Sequence, residues 1–497
     1  MIESKSINYS NLAFFRFRKF KNKYLLTNEV GEYVVLKPKE FKEFLEGKLN
    51  KNSKIYRELC KKNFIRDKIK FKDYIEKYRI KHEYLFQGPS LHIVVVTLRC
   101  NHRCIYCQVS SKNLREKNFD MSLSTAKKVV DFIFETPNQN LAIEFQGGEP
   151  LINWEVVKFI TLYSREKNKQ EKRNLELRLV SNFSLMDEEK IKFCFENNVS
   201  LCTSLDGPEK LHNKQRILIG GNSYQQTTKW LKYAMKIYKE YDRKQKKEKG
   251  YIFQPGALPT ITKFSLRYPK EIVNEYLKLG IEVIFLRPVS PLGFAKNIWG
   301  KIGYEPEEFI KFYKSALDYI LKLNLKGKKI YERMATIIVT KILKLKDPNY
   351  LELRSPCGAG IGQLAYDYDG TIYTCDEGRM LRQQDEDLFK LGNVFKNDYS
   401  SIIENPNLKA MCLASEINSH PECTHCVYAP YCGLCPIYNY FVEGNIFGKT
   451  PINYRCKIHK GIFDFIFERL TNSKIKKIFE KWAEKELTKG MEIERLK

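Results

Sequence analysis

The segment RCNHRCIYCQ, residues 99–108, places Cys100, Cys104 and Cys107 in the spacing C-x3-C-x2-C with no fourth cysteine nearby. Thiolates bind zinc or iron, but a tetrahedral zinc site, or an iron–sulfur cluster held wholly by protein, takes four ligands. Three cysteines can instead hold three irons of a four-iron cluster and leave the fourth open to a small molecule that brings its own ligands. His92 and His102 are near enough in sequence to fill that position. His92, however, reads as the polar member of an apolar strand and His102 lies inside the loop, so the open iron is the preferred reading.

A second group of cysteines is spaced differently. Cys357, Gly370 and Cys375 follow the pattern C-x12-G-x4-C, and Cys423, Cys426, Cys432 and Cys435 follow C-x2-C-x5-C-x2-C, with Cys412 between the two patterns and Cys456 beyond. That is more sulfur than one tetrahedral site needs. Asp376, directly after Cys375, puts a carboxylate where it can accept a proton beside a reacting centre, or where it can cap a helix. In Gly147-Gly148-Glu149-Pro150, two glycines let the backbone approach a ligand, the carboxylate can accept from an ammonium group, and the proline sets the exit of the chain. Asn182, Ser204 and Arg287 are polar residues at the ends of later apolar runs, and Asp206 can organise the turn before Gly207.

These residues need a frame, and the periodicity supplies one. From residue 90 the runs LHIVVVTL, LAIEFQGG, LELRLVSN, VSLCTSLDG, YIFQPGALPTIT and IEVIFLRPV read as six strands, separated by helical stretches such as LSTAKKVVDFIFE and PKEIVNEYLKLG. Near-continuous apolar strands joined by crossover helices make a parallel sheet covered on its outer face. The expected fold class is therefore α/β, with a partial (β/α)6 barrel. Ligands in such folds sit at the C-terminal ends of the strands; the cysteine loop, GGEP, Ser181–Asn182 and Asp206–Gly207 fall there in turn. Ahead of the barrel, FFRFRKF, YLLTNEV and EYVVLK are short extended segments followed by two helices, PKEFKEFLEGK and NSKIYRELCKKNF, a winged-helix-like unit suited to holding a peptide at a strand edge. DRKQKKEKG, residues 242–250, reads as a charged surface connection, residues 305–345 as helical, and SKIKKIFEKWAEKELTKG as an amphipathic helix.

Composition narrows the partners. The apolar runs are far shorter than the roughly 20 residues that span a bilayer. The N-terminus lacks the basic start and apolar run of a secretory signal, so a cytoplasmic protein without a membrane partner is expected. In a reducing compartment the 14 cysteines serve better as metal ligands or buried apolar residues than as disulfides. Lys+Arg 86 against Asp+Glu 59 gives a net charge of +27, but the lysines are scattered and no zinc finger or aromatic-basic stripe accompanies them, which argues against a nucleic-acid partner.

The three-cysteine loop and its placement resemble the radical S-adenosylmethionine family. The resemblance implies that Cys100, Cys104 and Cys107 hold a [4Fe–4S] cluster whose open iron is chelated by S-adenosylmethionine, which is cleaved to a hydrogen-abstracting 5′-deoxyadenosyl radical. It implies Tyr106 near the adenine, Gly147, Gly148 and Glu149 at the methionyl amine, and Asn182, Ser204 and Arg287 as further cofactor contacts. The C-terminal spacing resembles the SPASM extension, implying two auxiliary clusters: Cys423, Cys426, Cys432 and Cys456 at one; Cys357, Cys375 and Cys435 at the other. Cys412 is the expected completion of the latter, or else one of its irons stays open. Two rather than three residues between Cys432 and Cys435, and no further cysteine just before Cys357, depart from the usual pattern. By analogy with the related sulfatase-maturing enzymes, Asp376 is the expected catalytic base.

Over nearly its full length, through FFRFR, TLRCNHRCIYCQ, FQGGEPL and DYDGTIYTCDEGRM, the chain looks like a maturase of the His-Xaa-Ser peptide system. That resemblance implies five parts: a winged-helix-like peptide-recognition unit (1–85), the barrel (86–304), a helical connector (305–350), the SPASM iron–sulfur domain (351–460) and a C-terminal helix (461–497). Implied partners are a ribosomally made precursor peptide, a low-potential donor such as flavodoxin or ferredoxin, and a companion maturase. Two alternatives stand beside it. A sulfatase-maturing enzyme forming formylglycine is favoured by the shared cluster spacing, whereas a non-catalytic iron–sulfur adaptor leaves the coincidence of open site, GGEP and barrel unexplained.

Overall fold

The computed structural model describes residues 7–245, 253–450 and 452–494, so residues 246–250 of the charged connection and the start of the fifth expected strand lie outside the described residues. The chain opens with β1 (Arg16–Phe20), β2 (Lys23–Thr27) and β3 (Tyr33–Leu36), paired antiparallel in that order, and α1 (Pro38–Leu45), α2 (Lys54–Lys61) and α3 (Phe71–His82). The β2–β3 turn is closed by Gly31 at a φ of +89°, a conformation that favours glycine. Leu26, Val34, Leu36, Phe41, Phe44 and Leu59 give this unit its own core. It docks on the C-terminal module through Thr27 Oγ1 to the Val427 carbonyl at 2.8 Å and Tyr431 OH to the Gly31 carbonyl at 2.7 Å.

Next come β4 (Leu91–Thr97), β5 (His102–Cys104), α4 (Leu123–Glu135), β6 (Asn140–Gly147), α5 (Trp154–Glu171), β7 (Asn174–Ser181), α6 (Glu188–Glu196) and β8 (Val199–Ser204). The barrel region continues with α7 (Glu209–Gln215), β9 (Arg216–Leu218), α8 (Ser223–Gln245), β10 (Gly256–Leu258), β11 (Thr260–Ile261), α9 (Pro269–Lys278), β12 (Val283–Ile284) and β13 (Arg287–Pro288). Five strands run parallel in the order β10-β8-β7-β6-β4. Along β6, Leu141, Ile143 and Phe145 are fully buried while the alternating Ala142, Glu144 and Gln146 are half-buried, the period of two that a strand between helices and a polar interior requires. Each fully buried aliphatic or aromatic side chain contributes roughly 1.5–3 kcal/mol.

The fifth and sixth strands are shorter than the apolar runs suggest. Pro259 separates β10 from β11 and Pro288 ends β13, and neither can donate to a ladder; beyond the three residues of β10 on β8, these strands survive as two-residue pairings, β11 with β13 and β12 with β14 (Tyr331–Glu332).

After α10 (Trp299–Ile302) and α11 (Pro306–Leu325), β14 leads into α12 (Arg333–Lys344). The cysteine module then adds β15 (Gln363–Tyr366), β16 (Thr371–Tyr373), α13 (Asp376–Leu381), β17 (Lys390–Asn393), α14 (Tyr399–Ile403), α15 (Pro406–Ser415), α16 (Pro421–Thr424) and α17 (Pro436–Glu443). β15 pairs parallel with β4, and β16 and β17 follow antiparallel, so this module extends the barrel sheet to eight strands. Two helices close the chain: α18 (Tyr454–Leu470), which runs on past residue 460, and α19 (Ser473–Glu494), whose Phe479, Trp482 and Ala483 are buried. Among the described residues no helix is long and apolar enough to cross a membrane.

Candidate functional site

β4 delivers the three-cysteine loop to the C-terminal edge of the sheet. Backbone bonds from Leu98 to Phe119 (3.1 Å) and from Cys100 to Lys112 (3.1 Å), with Arg99 Nε on Asp120 at 2.8 Å, hold its first half. The second half is held by pairing of β5 with β9, Cys104 opposite Arg216. All three cysteines are free thiols. Burial pushes Cys104 up to about 12 and Cys100 well above the usual thiol range, and in Cys100 the neighbouring Cys104, Glu149 and Cys107 raise it further. Such thiols are neutral until a metal displaces their protons. Neither histidine is available as a fourth ligand: His92 Nδ1 bonds Tyr366 OH at 2.9 Å inside the core, and His102 lies buried between Ser223 Oγ (2.9 Å) and Asn101 Oδ1 (3.2 Å).

GGEP lies directly against this loop. Gly148 N and Glu149 N donate to the carbonyls of Thr97 and Arg99, both at 2.8 Å. A Cβ at Gly147 or Gly148 would run into the carbonyl oxygens of Thr97, or of Leu98 and Arg99. Glu149 is fully buried; Ser181 Oγ (2.7 Å), Asn182 N (2.7 Å) and Leu151 N (3.0 Å) all donate to its carboxylate. Among the described residues it has no cationic partner, and burial pushes it up to about 7 despite those three bonds. A buried carboxylate beside the cysteines and without a cation is a place where a ligand's amine fits.

Asp206, also fully buried, is the other hub. It accepts from Tyr106 OH (2.5 Å), Gln215 Nε2 (3.0 Å) and Thr260 N (3.0 Å), and pairs with Arg216 Nε at 3.2 Å. Arg216 was not singled out by its sequence context. Its guanidinium lies 5.2 Å from the Tyr106 ring centroid, with Nη1 4.0 Å from Cys104 Sγ. Asn182 bonds across to Asn101 Oδ1 at 3.0 Å, tying GGEP's neighbour to the loop, and Ser204 ends β8 half-buried.

The C-terminal cysteines separate into two groups. Cys423, Cys426, Cys432 and Cys456 line one cavity, which Cys435 also borders, and act on each other electrostatically, Cys456, Cys426 and Cys423 all raising Cys432. Cys357, Cys375 and Cys435 share an apolar cluster with Leu292, Met380 and Met411. Cys375 and Cys435 cap α13 and α17, accepting from Gly378 N (3.5 Å) and Tyr438 N (3.4 Å); helix N-termini favour thiolates. Cys412 is not brought to this trio: α15 turns Met411 toward it, and Cys412, one position round the helix, packs on the main core instead. Among the described residues no three such side chains converge on one point as a single ion requires; ligands of an iron cube stand apart around it, and three or four grouped thiols at each of three places fit that donor set.

A further cavity lies between the loop after Cys107 and the C-terminal module, walled by Gln108, Arg287, Glu352, Glu377, Cys435 and Arg455 among others. Arg287, expected as a contact for the cofactor or a substrate carboxylate, is taken up by protein carboxylates here: Glu352 at 2.7 Å and Glu377 at 3.4 Å, with Arg455 closing on Glu352 from the other side. The structure likewise sets Asp376 apart from this wall. Its carboxylate faces Arg379, fully buried, at 2.9 Å from Nε, and it is Glu377 that lines the cavity.

Comparison with known proteins agrees with this layout. Residues 94–243 match the radical SAM superfamily, and residues 357–427 match SPASM, an iron–sulfur cluster-binding domain. The cysteine-type anaerobic sulfatase-maturating enzyme of Clostridium perfringens (strain ATCC 13124) is 25% identical over 396 residues, 77% of this chain and 97% of that protein. Among solved structures, native anSMEcpe with bound AdoMet and Cp18Cys peptide superposes with a TM-score of 0.63 at 22% identity, covering 78% of this chain and 99% of that one. Streptococcus suis SuiB bound to precursor peptide SuiA superposes with a TM-score of 0.52 at 14% identity, covering 89% and 98%. At such identities the superpositions establish a shared fold.

Proposed function

Taking the chain as what its matched segments make it, a radical S-adenosylmethionine enzyme that carries a SPASM iron–sulfur domain, we propose that it modifies a ribosomally made precursor peptide of the His-Xaa-Ser type. Those two domains imply [4Fe–4S] clusters and S-adenosylmethionine as cofactors. Bound at Cys100, Cys104 and Cys107, cluster and cofactor together supply hydrogen-atom abstraction from an unactivated carbon.

The chain's own residues orient that chemistry. Glu149, fixed by three donors and lacking a cation, accepts from the methionyl amine. Arg216, beside Cys104 and Tyr106, presents a guanidinium for the carboxylate, the role expected of Arg287. Gly147 and Gly148 admit the cofactor backbone-first, and Asn182 and Ser204 stand at the adjoining strand ends. Cys423, Cys426, Cys432 and Cys456 would hold one auxiliary cluster, and Cys357, Cys375 and Cys435, the last of which lines the proposed substrate cavity, the other. Asp376, paired with Arg379, is assigned a structural role in this reading. A low-potential flavodoxin or ferredoxin is the proposed electron source.

The observation that carries the peptide reading is the N-terminal unit. β1 is an outer strand whose Phe17, Arg18 and Lys19 are exposed, and Phe14 and Phe17 leave about half their surface in solvent, 54% and 52%. An exposed edge flanked by aromatics suits an added peptide strand. The unit is docked on the cysteine module, so a peptide held there has its remainder near the cavity at raised effective concentration. Sulfatase maturation is the second reading, favoured by the 25% identity over 97% of the Clostridium perfringens enzyme. The deciding experiment incubates cluster-loaded protein, S-adenosylmethionine and reductant with a His-Xaa-Ser repeat precursor or with a cysteine-containing sulfatase peptide, followed by mass spectrometry. Modification of the first alone supports the proposal; formylglycine in the second alone rejects it.

A further inference from the structure

We propose that the Glu377 carboxylate fills the fourth ligand position at the cysteine trio Cys357, Cys375 and Cys435. The inference rests on reading that trio as a cluster site. A four-iron cube with three protein thiolates needs one more donor or keeps an exposed iron, and the one other cysteine of the module outside both groups, Cys412, is turned toward the main core. The donor must therefore be sought at the cavity wall that the trio reaches through Cys435.

That wall offers two carboxylates. Glu352 is fully engaged: one oxygen is 2.7 Å from Arg287 Nη2 and the other is held by Arg455. Glu377 is free to serve. Among the described residues its ion pair is a long contact, 3.4 Å to the same Arg287 nitrogen, and its second oxygen takes no side-chain donor. Glu377 stands in the first turn of α13, two residues beyond Cys375, and lines the cavity together with Cys435. Its charge also acts on all three thiols, raising Cys357, Cys375 and Cys435 alike.

An oxygen ligand differs in kind from a fourth cysteine. Carboxylate is a harder donor than thiolate and holds iron less tenaciously, so this position is exchangeable and opens onto the space where substrate lies. Exchange there moves no electrons: one Fe–O bond breaks and another Fe–ligand bond forms, with the freed carboxylate returning to Arg287.

The test uses the full chain with Cys100, Cys104 and Cys107 replaced by alanine, so that only the auxiliary clusters assemble. Glu377, Glu377→Gln and Glu377→Cys forms are compared by iron content, by redox titration followed by electron paramagnetic resonance, and by binding of ¹³C-cyanide detected through its hyperfine coupling. The expected result is about eight irons in all three forms, an upward shift of one midpoint potential in the Gln form as a negative ligand is lost, cyanide binding at least tenfold tighter in that form, and cyanide excluded again by the Cys form. Loss of four irons in the Gln form alone, with unaltered circular dichroism, supports the same conclusion. Eight irons with equal potentials and equal cyanide binding in the Glu and Gln forms would overturn the ligand assignment alone. Only about four irons in the parent would overturn the cluster reading of the trio and the assignment with it.

Discussion

Replacing Glu149 by glutamine tests the cofactor geometry through its pH dependence. The wild-type carboxylate is buried, carries three donors and titrates at about 7. If it accepts from the methionyl amine, the ionised form is the one that binds, so its contribution is fully present above pH 7 and is lost as pH falls through 7. A charge-assisted hydrogen bond is worth roughly 1.5–3 kcal/mol, so at pH 8.5 the variant should bind S-adenosylmethionine roughly 10- to 150-fold more weakly. Below pH 7 the wild type gives up about tenfold per unit, and the ratio of the two dissociation constants should shrink accordingly by pH 6. Taking the ratio cancels any proton that the cofactor itself exchanges. Anaerobic equilibrium dialysis of cluster-loaded protein between pH 6 and 8.5 reads it directly. A ratio below about threefold at pH 8.5, or one that does not vary with pH, would refute the assignment of Glu149 to the amine.

Other residues make separate predictions. Asp376→Ala removes the partner of fully buried Arg379 and should cost roughly 3–5 kcal/mol, lowering the thermal midpoint. Asp376→Asn keeps an acceptor for Nε and should retain product formation; lost product at unaltered stability would return the proton-accepting role to Asp376. Arg216→Lys keeps the charge but not the planar fork, and should weaken S-adenosylmethionine binding about tenfold at every pH, in contrast to the sloping ratio at Glu149; unaltered affinity would remove Arg216 from the site. Phe14→Ser with Phe17→Ser should weaken precursor binding about tenfold in protein shown to be folded by circular dichroism, since Phe17 also packs on Phe41, and equal binding by titration calorimetry would reject the β1 edge as the docking strand.

Features set by short-range chemistry were readable in advance. Cysteine spacing fixes which thiols one loop can present, so the three-cysteine loop at 100–107 and the crowding of the C-terminal cysteines were legible, whereas their division into two groups came with the family resemblance; GGEP was legible too, and its glycines are demanded by the carbonyls of Thr97 to Arg99. Alternating apolar runs likewise showed the parallel strands up to β8. What escaped depends on contacts made far along the chain. Arg216 is one basic residue in HNKQRIL, and only the pairing of β5 with β9 carries it to Cys104. Arg287 sits at a strand end, as expected, but Glu352, from a segment with no motif, and Glu377, passed over beside Asp376 in the TCDEG motif, claim it. Cys412 has the right residue type and lies in the right module; one step round α15 turns it away. The extension of the barrel sheet by β15 was hidden because QLAY is too short and too uniformly apolar to reveal its partner.

The central claim, hydrogen abstraction from a peptide, is tested most directly by label transfer. A His-Xaa-Ser precursor deuterated at the carbons of its repeat is incubated with the cluster-loaded enzyme, S-adenosylmethionine and reductant, and the 5′-deoxyadenosine is isolated and weighed by mass spectrometry. The account predicts deuterium in 5′-deoxyadenosine, rising in step with modified peptide. Unlabelled 5′-deoxyadenosine from this precursor, with deuterium arriving only from a labelled sulfatase peptide, would contradict it.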